Sequence, residues 1–135
     1  MILVDAGPLV AIVHRSDDFH EPCAEVFRSL KQSPLSVWPA VTEAMHLLSF
    51  SWQAQDALWE LLENGSVVLT DLTPGDLPRM RALVRQYRDL PMDLADAALV
   101  CVAERERISR VFTLDRKDFR IYRPRGLGRF SILPS

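Results

Sequence analysis

The chain has 135 residues, 48% of them hydrophobic and 25% charged, with a formal net charge of −2 at pH 7. That is apolar enough for a single domain over residues 1–135 with a real core and too apolar for a disordered chain, while no run approaches the roughly 20 residues of a membrane span. The opening MILVDAGPLVAIVH lacks a basic leading segment and is broken by Asp5, Gly7 and Pro8, so it does not read as a secretory signal, and a cytoplasmic protein is expected.

Ile2, Leu3 and Val4 form a short apolar run that stops at Asp5 and the breakers Gly7-Pro8, the pattern of a buried strand with an acid at its carboxyl end. Pro8 suits the first turn of a helix, and Leu9 to His14 is predicted to follow as one. Asp17 or Asp18 caps a second predicted helix to about Gln32, with Phe19, Cys23, Val26, Phe27 and Leu30 along one stripe. Leu35 to Trp38 reads as a second strand. After Pro39, helical periodicity resumes in AVTEAMHLLSF and places Glu43 in the first two turns, on the same rim as Asp5.

A further helix over Trp52 to Leu62 is stopped by Asn64-Gly65, and Ser66 to Leu69 reads as a third strand. Thr73-Pro74-Gly75 is a turn before a surface helix, Asp76 to Arg88, whose inward residues are expected to be Met80, Leu83, Val84 and Tyr87. An amphipathic helix from Asp93 to about Arg105 leads to a buried strand, Arg110 to Leu114, that ends at Asp115. Phe119 to Tyr122 and Phe130 to Leu133 are the candidates for a last strand. Strand and helix alternate throughout, which argues for a parallel sheet covered by helices on both faces.

This order brings acids from four places to one rim: Asp5, Glu43, Asp93 or Asp96, and Asp115. Asp93 and Asp96 are one helical turn apart, about 60° around the axis, and face the same way. In open α/β sheets ligands bind beyond the carboxyl ends of the strands. Acids gathered there without basic partners repel one another and call for a cation or shared protons. Mg²⁺ and Mn²⁺ prefer such oxygen ligands. Each acid also has a plain structural reading: Asp93 as a helix cap, Asp96 as a dipole partner, Glu43 as an exposed helix acid, and Asp5 and Asp115 as turn formers. Asp118 is either the cap of a short turn, the favoured reading, or a neighbour just behind the ligands.

Charge is unevenly distributed. Residues 1 to 104 carry 7 Lys/Arg against 15 Asp/Glu, whereas residues 105 to 135 carry 9 against 3, a basic segment of +6 beside the acidic cluster. Such a segment suits a phosphate backbone as well as a solvated face. His14, His20 and His46 lack zinc-motif spacing, and Cys23 and Cys101 are expected to be core thiols. Trp38, Trp52 and Trp59 are expected in the core or at an interface. There is no phosphate-binding glycine loop, dinucleotide fingerprint or serine-hydrolase elbow.

The segments LVDAGPLVA, TEAMHLL around Glu43, DLADAALVCVAE around Asp96 and VFTLDRKDF around Asp115 together resemble the PIN-domain ribonucleases, particularly the small stand-alone VapC-type toxins of type II toxin-antitoxin pairs. The last two segments, with 19 positions from Asp96 to Asp115, are the most specific. The resemblance implies a three-layer α/β/α fold with a short parallel sheet. It also implies an acidic pocket for Mg²⁺ or Mn²⁺ held by Asp5, Glu43, Asp96 and Asp115, with Thr113 as a hydroxyl neighbour and Asp93 as an additional candidate. Where many relatives carry Ser or Thr shortly after the first Asp, Gly7 stands here. A homodimer and a small antitoxin that covers the pocket are implied as well.

On this reading the chain is a metal-dependent endoribonuclease, with Arg116, Lys117, Arg120 and Arg123 helping to dock the RNA backbone. The alternatives are a non-catalytic interaction module of the same fold, with a structural ion or an empty acidic pocket, and a phospho-acceptor domain. The phospho-acceptor chemistry wants a well-placed lysine, and neither Lys31 nor Lys117 sits at an obvious strand end.

Overall fold

The computed structural model describes residues Met1–Ser135. In chain order it contains β1 (Leu3–Val4), α1 (Ala6–Val13), α2 (His20–Ser29), β2 (Leu35–Ser36), α3 (Trp38–Leu47), α4 (Trp52–Glu63), β3 (Val68–Leu69), a 3₁₀ turn (Pro74–Asp76), α5 (Leu77–Gln86), α6 (Leu94–Glu106), β4 (Arg110–Phe112), α7 (Arg116–Ile121) and β5 (Ser131–Leu133). The five strands form one sheet in the order β3-β2-β1-β4-β5. Every pairing is parallel, with Leu3 opposite both Leu35 and Val111, and Val4 opposite Phe112.

Parallel neighbours cannot be joined by tight turns, so each crossover carries helices over a face of the sheet. Side chains alternate along the short strands and divide the apolar interior in two. Ile2, Val4 and Phe112 pack with Leu9, Cys23, Val41, Leu48 and Leu58 on one face. Leu3 and Val111 pack with Leu83, Leu99, Phe119 and Tyr122 on the other. The result is the expected three-layer α/β/α arrangement. From β1 the chain steps outward to β2 and β3 on one side, then returns to build β4 and β5 on the other. The crevice between β1 and β4 is therefore the topological switch point, where open α/β sheets bind their ligands.

Several local expectations change. The first helix begins at Ala6 rather than Leu9, because Asp5 caps it and Pro8 fits in its first turn. The helix after the second strand starts at Trp38, with Pro39 in its first turn, so Trp38 leaves the strand. The second helix spans only His20–Ser29 and has no side-chain cap; Asp17 instead accepts from the Phe19 N–H in the preceding turn. Val84 is exposed rather than inward. Phe119 lies in α7 and Tyr122 caps its C-terminus, so the last strand comes from Ser131–Leu133 alone.

The helix α6 is not amphipathic. Every residue from Ala95 to Ala103 is buried, since the helix is wedged against the sheet with α3 and α5 against its flanks. Small side chains make that close approach feasible, and they carry Asp96 inward with them. Gly7 serves a related purpose on α1: a Cβ there would lie 3.3 Å from the Leu114 side chain. No helix of the chain is long and apolar enough to cross a membrane.

Candidate active site

Three of the helices that start at the carboxyl end of the sheet are capped by an aspartate. Asp5 Oδ1 accepts from the Ala6 N–H at 2.8 Å at the start of α1. Asp93 Oδ1 accepts from the Asp96 N–H at 2.8 Å at the start of α6, and Asp115 Oδ1 from the Asp118 N–H at 3.3 Å at the start of α7. Capping explains locally why an aspartate stands at each position, and the helix dipoles favour negative charge there. It does not explain why all three helix starts meet at one crevice. That convergence is a property of the sheet order.

Asp5, Gly7, Glu43, Asp93, Asp96, Leu114 and Asp115 line one cleft of about 290 Å³, and no lysine or arginine is among its lining residues. All five acids singled out in the sequence are thus brought together. Asp5 and Asp96 are buried, at 7% exposure each, while Asp93 and Glu43 are exposed at the mouth. The tightest group is Asp96, Asp115 and Asp118, each with one carboxylate oxygen within 4.8 Å of the others.

Asp118 therefore joins the site, although the sequence favoured a turn cap; its own N–H is the group being capped, and a carboxylate oxygen of it lies within 4.8 Å of those of Asp96 and Asp115. The signal was present, because Asp115 and Asp118 repeat the N-cap to N3 spacing of Asp93 and Asp96. Sequence reasoning also missed Tyr122. Its hydroxyl donates to Asp96 Oδ2 at 2.7 Å from a fully buried ring. Thr113, expected as a hydroxyl neighbour, links two acids: its buried hydroxyl donates to Asp5 Oδ2 at 3.1 Å and accepts from the Asp115 N–H at 3.0 Å.

Crowding and burial disturb the titration of these acids. Burial pushes Asp96 up to about 8, with the charge of Asp5 adding to the rise and the Tyr122 hydroxyl opposing it. Burial raises Asp5 to about 6 against the opposing pull of the Ala6 N–H and the Thr113 hydroxyl. Glu43 and Asp115 are also raised, first by desolvation and then by neighbouring carboxylates. The Tyr122 hydroxyl is held protonated by its burial and its acceptor. The protein leaves no buried side-chain polar atom without a hydrogen-bond partner. What the cleft lacks is a positive charge.

This donor set suits a hard divalent cation of the Mg²⁺ or Mn²⁺ type, which takes carboxylate oxygens and water. It does not suit zinc: His14, His20 and His46 are absent from the cleft lining, and Cys23 and Cys101 are buried in the cores. His20 is tied to the Ala11 carbonyl at 2.6 Å, as expected of a structural histidine.

The arginines of the basic segment are differently employed. Arg116 donates to the Pro134 carbonyl, and Arg123 turns back onto the carbonyls of Arg120, Ile121 and Tyr122. Lys117 and Arg120 are exposed. The tryptophans are not in the core: Trp38, Trp52 and Trp59 are at least half exposed. Trp38 and Leu94 line a broader groove of about 570 Å³ that shares Glu43 and Asp93 with the acidic cleft.

The family model described as the PIN domain matches residues 2–123. Ribonuclease VapC26 of Mycobacterium tuberculosis is 27% identical over 135 residues, covering 98% of this chain and all of that protein. Among solved structures, VapC20 of Mycobacterium tuberculosis, a sarcin-ricin loop cleaving toxin, superposes with a TM-score of 0.78 at 15% identity, over 87% of this chain and 92% of that one. A toxin-antitoxin complex from Klebsiella pneumoniae gives a TM-score of 0.67 at 18% identity, over 88% and 90%.

Proposed function

The chain belongs to the PIN domain family, and from that premise we propose that it is a metal-dependent endoribonuclease, the toxin of a toxin-antitoxin pair. The observation that carries this reading is the meeting of Asp5, Asp96 and Asp115, from three distant parts of the chain, in one cleft without a basic partner. The ribonuclease named among its relatives matches over 98% of this chain and supports the same reading.

Asp5, Asp96 and Asp115 would hold a Mg²⁺ or Mn²⁺ ion, with Glu43 completing or extending the shell and Asp118 and Asp93 beside it. A divalent cation held there lowers the pKa of water and offsets the charge that develops on a phosphodiester during hydrolysis. The chain's own contribution is preorganisation. Tyr122 engages one oxygen of Asp96, and the Thr113 hydroxyl ties Asp5 to the backbone of Asp115, so the acids keep their places when the cleft fills. Glu43 at the exposed mouth meets incoming RNA first. The basic segment, with Arg116, Lys117, Arg120 and Arg123, draws in the phosphate backbone.

The antitoxin is proposed to seat on the groove beside the mouth, where Trp38 and Leu94 are exposed; the solved toxin-antitoxin complex with the same fold supports a partner of this kind. A homodimer and a cytoplasmic location complete the reading.

The test is incubation of the purified protein with structured RNA, with and without a chelator. Cleavage that needs metal and disappears in Asp5→Asn and in Asp96→Asn is the expected result. Equal cleavage by the variants means contamination and leaves the non-catalytic interaction module as the better reading.

A further inference from the structure

Arg116 and Arg120 lie one turn apart on α7, and Arg129 reaches the same place from the loop before β5. With Phe130 and Ile132 they line a cleft of about 270 Å³ that shares no lining residue with the acidic cleft. No carboxylate lines it. The ion pairs of the chain are Arg79 with Glu104 and Arg105 with Asp76 and Glu106, so none of these three arginines is neutralised. Three guanidinium groups in one cleft repel each other, and an anion held between them removes that cost.

The floor narrows the chemistry. Phe130 is buried and Ile132 half-buried, so the floor side chains offer no acceptor that competes for the guanidinium donors. Arg116 is anchored through one nitrogen to the Pro134 carbonyl and retains its other donors. Arginine forks match phosphate geometry better than lysine does. Arg123 turns one guanidinium nitrogen onto its own chain's carbonyls and does not line this cleft, so the basic segment is divided by the fold: Arg116 and Arg120 share a cleft with Arg129, a residue the sequence did not single out.

We propose that the Arg116, Arg120 and Arg129 cleft is a phosphodiester subsite that grips one backbone phosphate of the RNA next to the bond being cut. This rests on the ribonuclease reading, since it assigns the ligand of that same site. Asp115 and Arg116 are consecutive at the start of α7, so the acidic cleft and this one each take a lining residue from the same helix start. Phosphate contacts position the strand without reading its bases. The subsite therefore sets affinity and register, and leaves the choice of cleavage sequence to other contacts.

The experiment measures binding of a short, labelled, mixed-sequence single-stranded RNA to Asp96→Asn, with and without the pair Arg120→Ala and Arg129→Ala. Both arginines are exposed, and an unchanged Mn²⁺-induced melting shift of the paired variant with Asp96 retained reports that the acidic cleft is intact. The expected result is a Kd about tenfold weaker at low salt, and a slope of log affinity against log salt shallower by about 0.7, the value for one phosphate on a single strand. Arg129→Lys, which keeps charge and loses the fork, should fall between. Unchanged Kd and slope overturn the proposal. So does a cleft that leaves RNA binding untouched and instead binds an oligoglutamate peptide, which would mark it as a protein-docking site. Cleavage kinetics separate the two readings: no metal-dependent cleavage by the unmodified chain sinks the nuclease, whereas cleavage with KM unmoved by the paired variant sinks the subsite alone.

Discussion

The Tyr122 hydroxyl donates to Asp96 Oδ2 at 2.7 Å, and this bond joins the C-terminal cap of α7 to the first turn of α6 inside the protein. The ring itself is fixed by edge contacts with Tyr87 and Phe119, whose centroids lie 5.0 and 5.2 Å away. Asp96 is thus held by a hydroxyl whose own ring is packed on two sides.

Tyr122→Phe should therefore affect the cleft more than the fold. The ring contacts survive, and loss of one hydrogen bond should lower stability by about 1 kcal/mol. Mn²⁺ affinity, measured by calorimetry, should weaken about tenfold, the scale of losing a partner that orients a metal ligand. Wild-type metal affinity in the variant would show that Tyr122 only packs.

The raised acids give the metal-free chain a pH dependence of definite sign. Asp5 and Asp96 titrate at about 6 and about 8 in the folded chain, against an ordinary 3.8, so the folded state keeps protons that the unfolded state releases. Their contribution to stability therefore falls as pH rises from about 4 to about 8 and stays at its lowest above that. Asp96→Asn stays neutral and still accepts from Tyr122, so without metal it should melt above the unmodified chain near pH 8 and lose that advantage near pH 4. An advantage of Asp96→Asn that does not shrink between pH 8 and pH 4 would remove the argument from burial and crowding.

Divalent metal should reverse that loss. A ligand bound only by the native state raises the melting temperature, and Mn²⁺ should do so more at pH 8 than at pH 5, because protons compete with it for the same oxygens. Asp115→Asn and Asp118→Asn should each blunt the rise, since both belong to the tightest cluster. Should Asp118→Asn leave the shift whole, that acid is a bystander.

Asp93 separates capping from metal binding. Its Oδ1 accepts from the Asp96 N–H, so Asp93→Ala should cost about 1 kcal/mol, whereas Asp93→Ser retains a cap and should cost little. If Asp93 serves the cleft chiefly by capping α6, Asp93→Ser keeps most of the Mn²⁺ shift. A shift abolished by Asp93→Ser would instead make it a direct ligand.

Strand-then-acid at Asp5 and Asp115 was readable from the chain because a short apolar run and a breaker leave few alternatives. Glu43 was readable from its place early in a helix that follows a strand. The course of Phe119 to Tyr122 was not, since an apolar run of that length suits a strand or a helix equally; α7 won because Asp115 caps it and its Phe119 fills the core beside Phe130. The burial of α6 was hidden for a similar reason, as alanines carry little periodic contrast and only the elements packed around the helix show which faces are covered.

What the sequence determined by itself was the kind of most elements, the stretch that became α7 excepted, and the acid that ends or opens several of them, because strand runs, breakers and caps act over a few neighbouring residues. What only the tertiary structure decided was which acids meet. The order β3-β2-β1-β4-β5 sets Asp5 and Asp115 on adjacent strand ends, presses Asp96 inward beside them and turns Asp118 and Tyr122 to the same place. Electrostatic crowding depends on distance through space, and local spacing along a chain does not contain that distance.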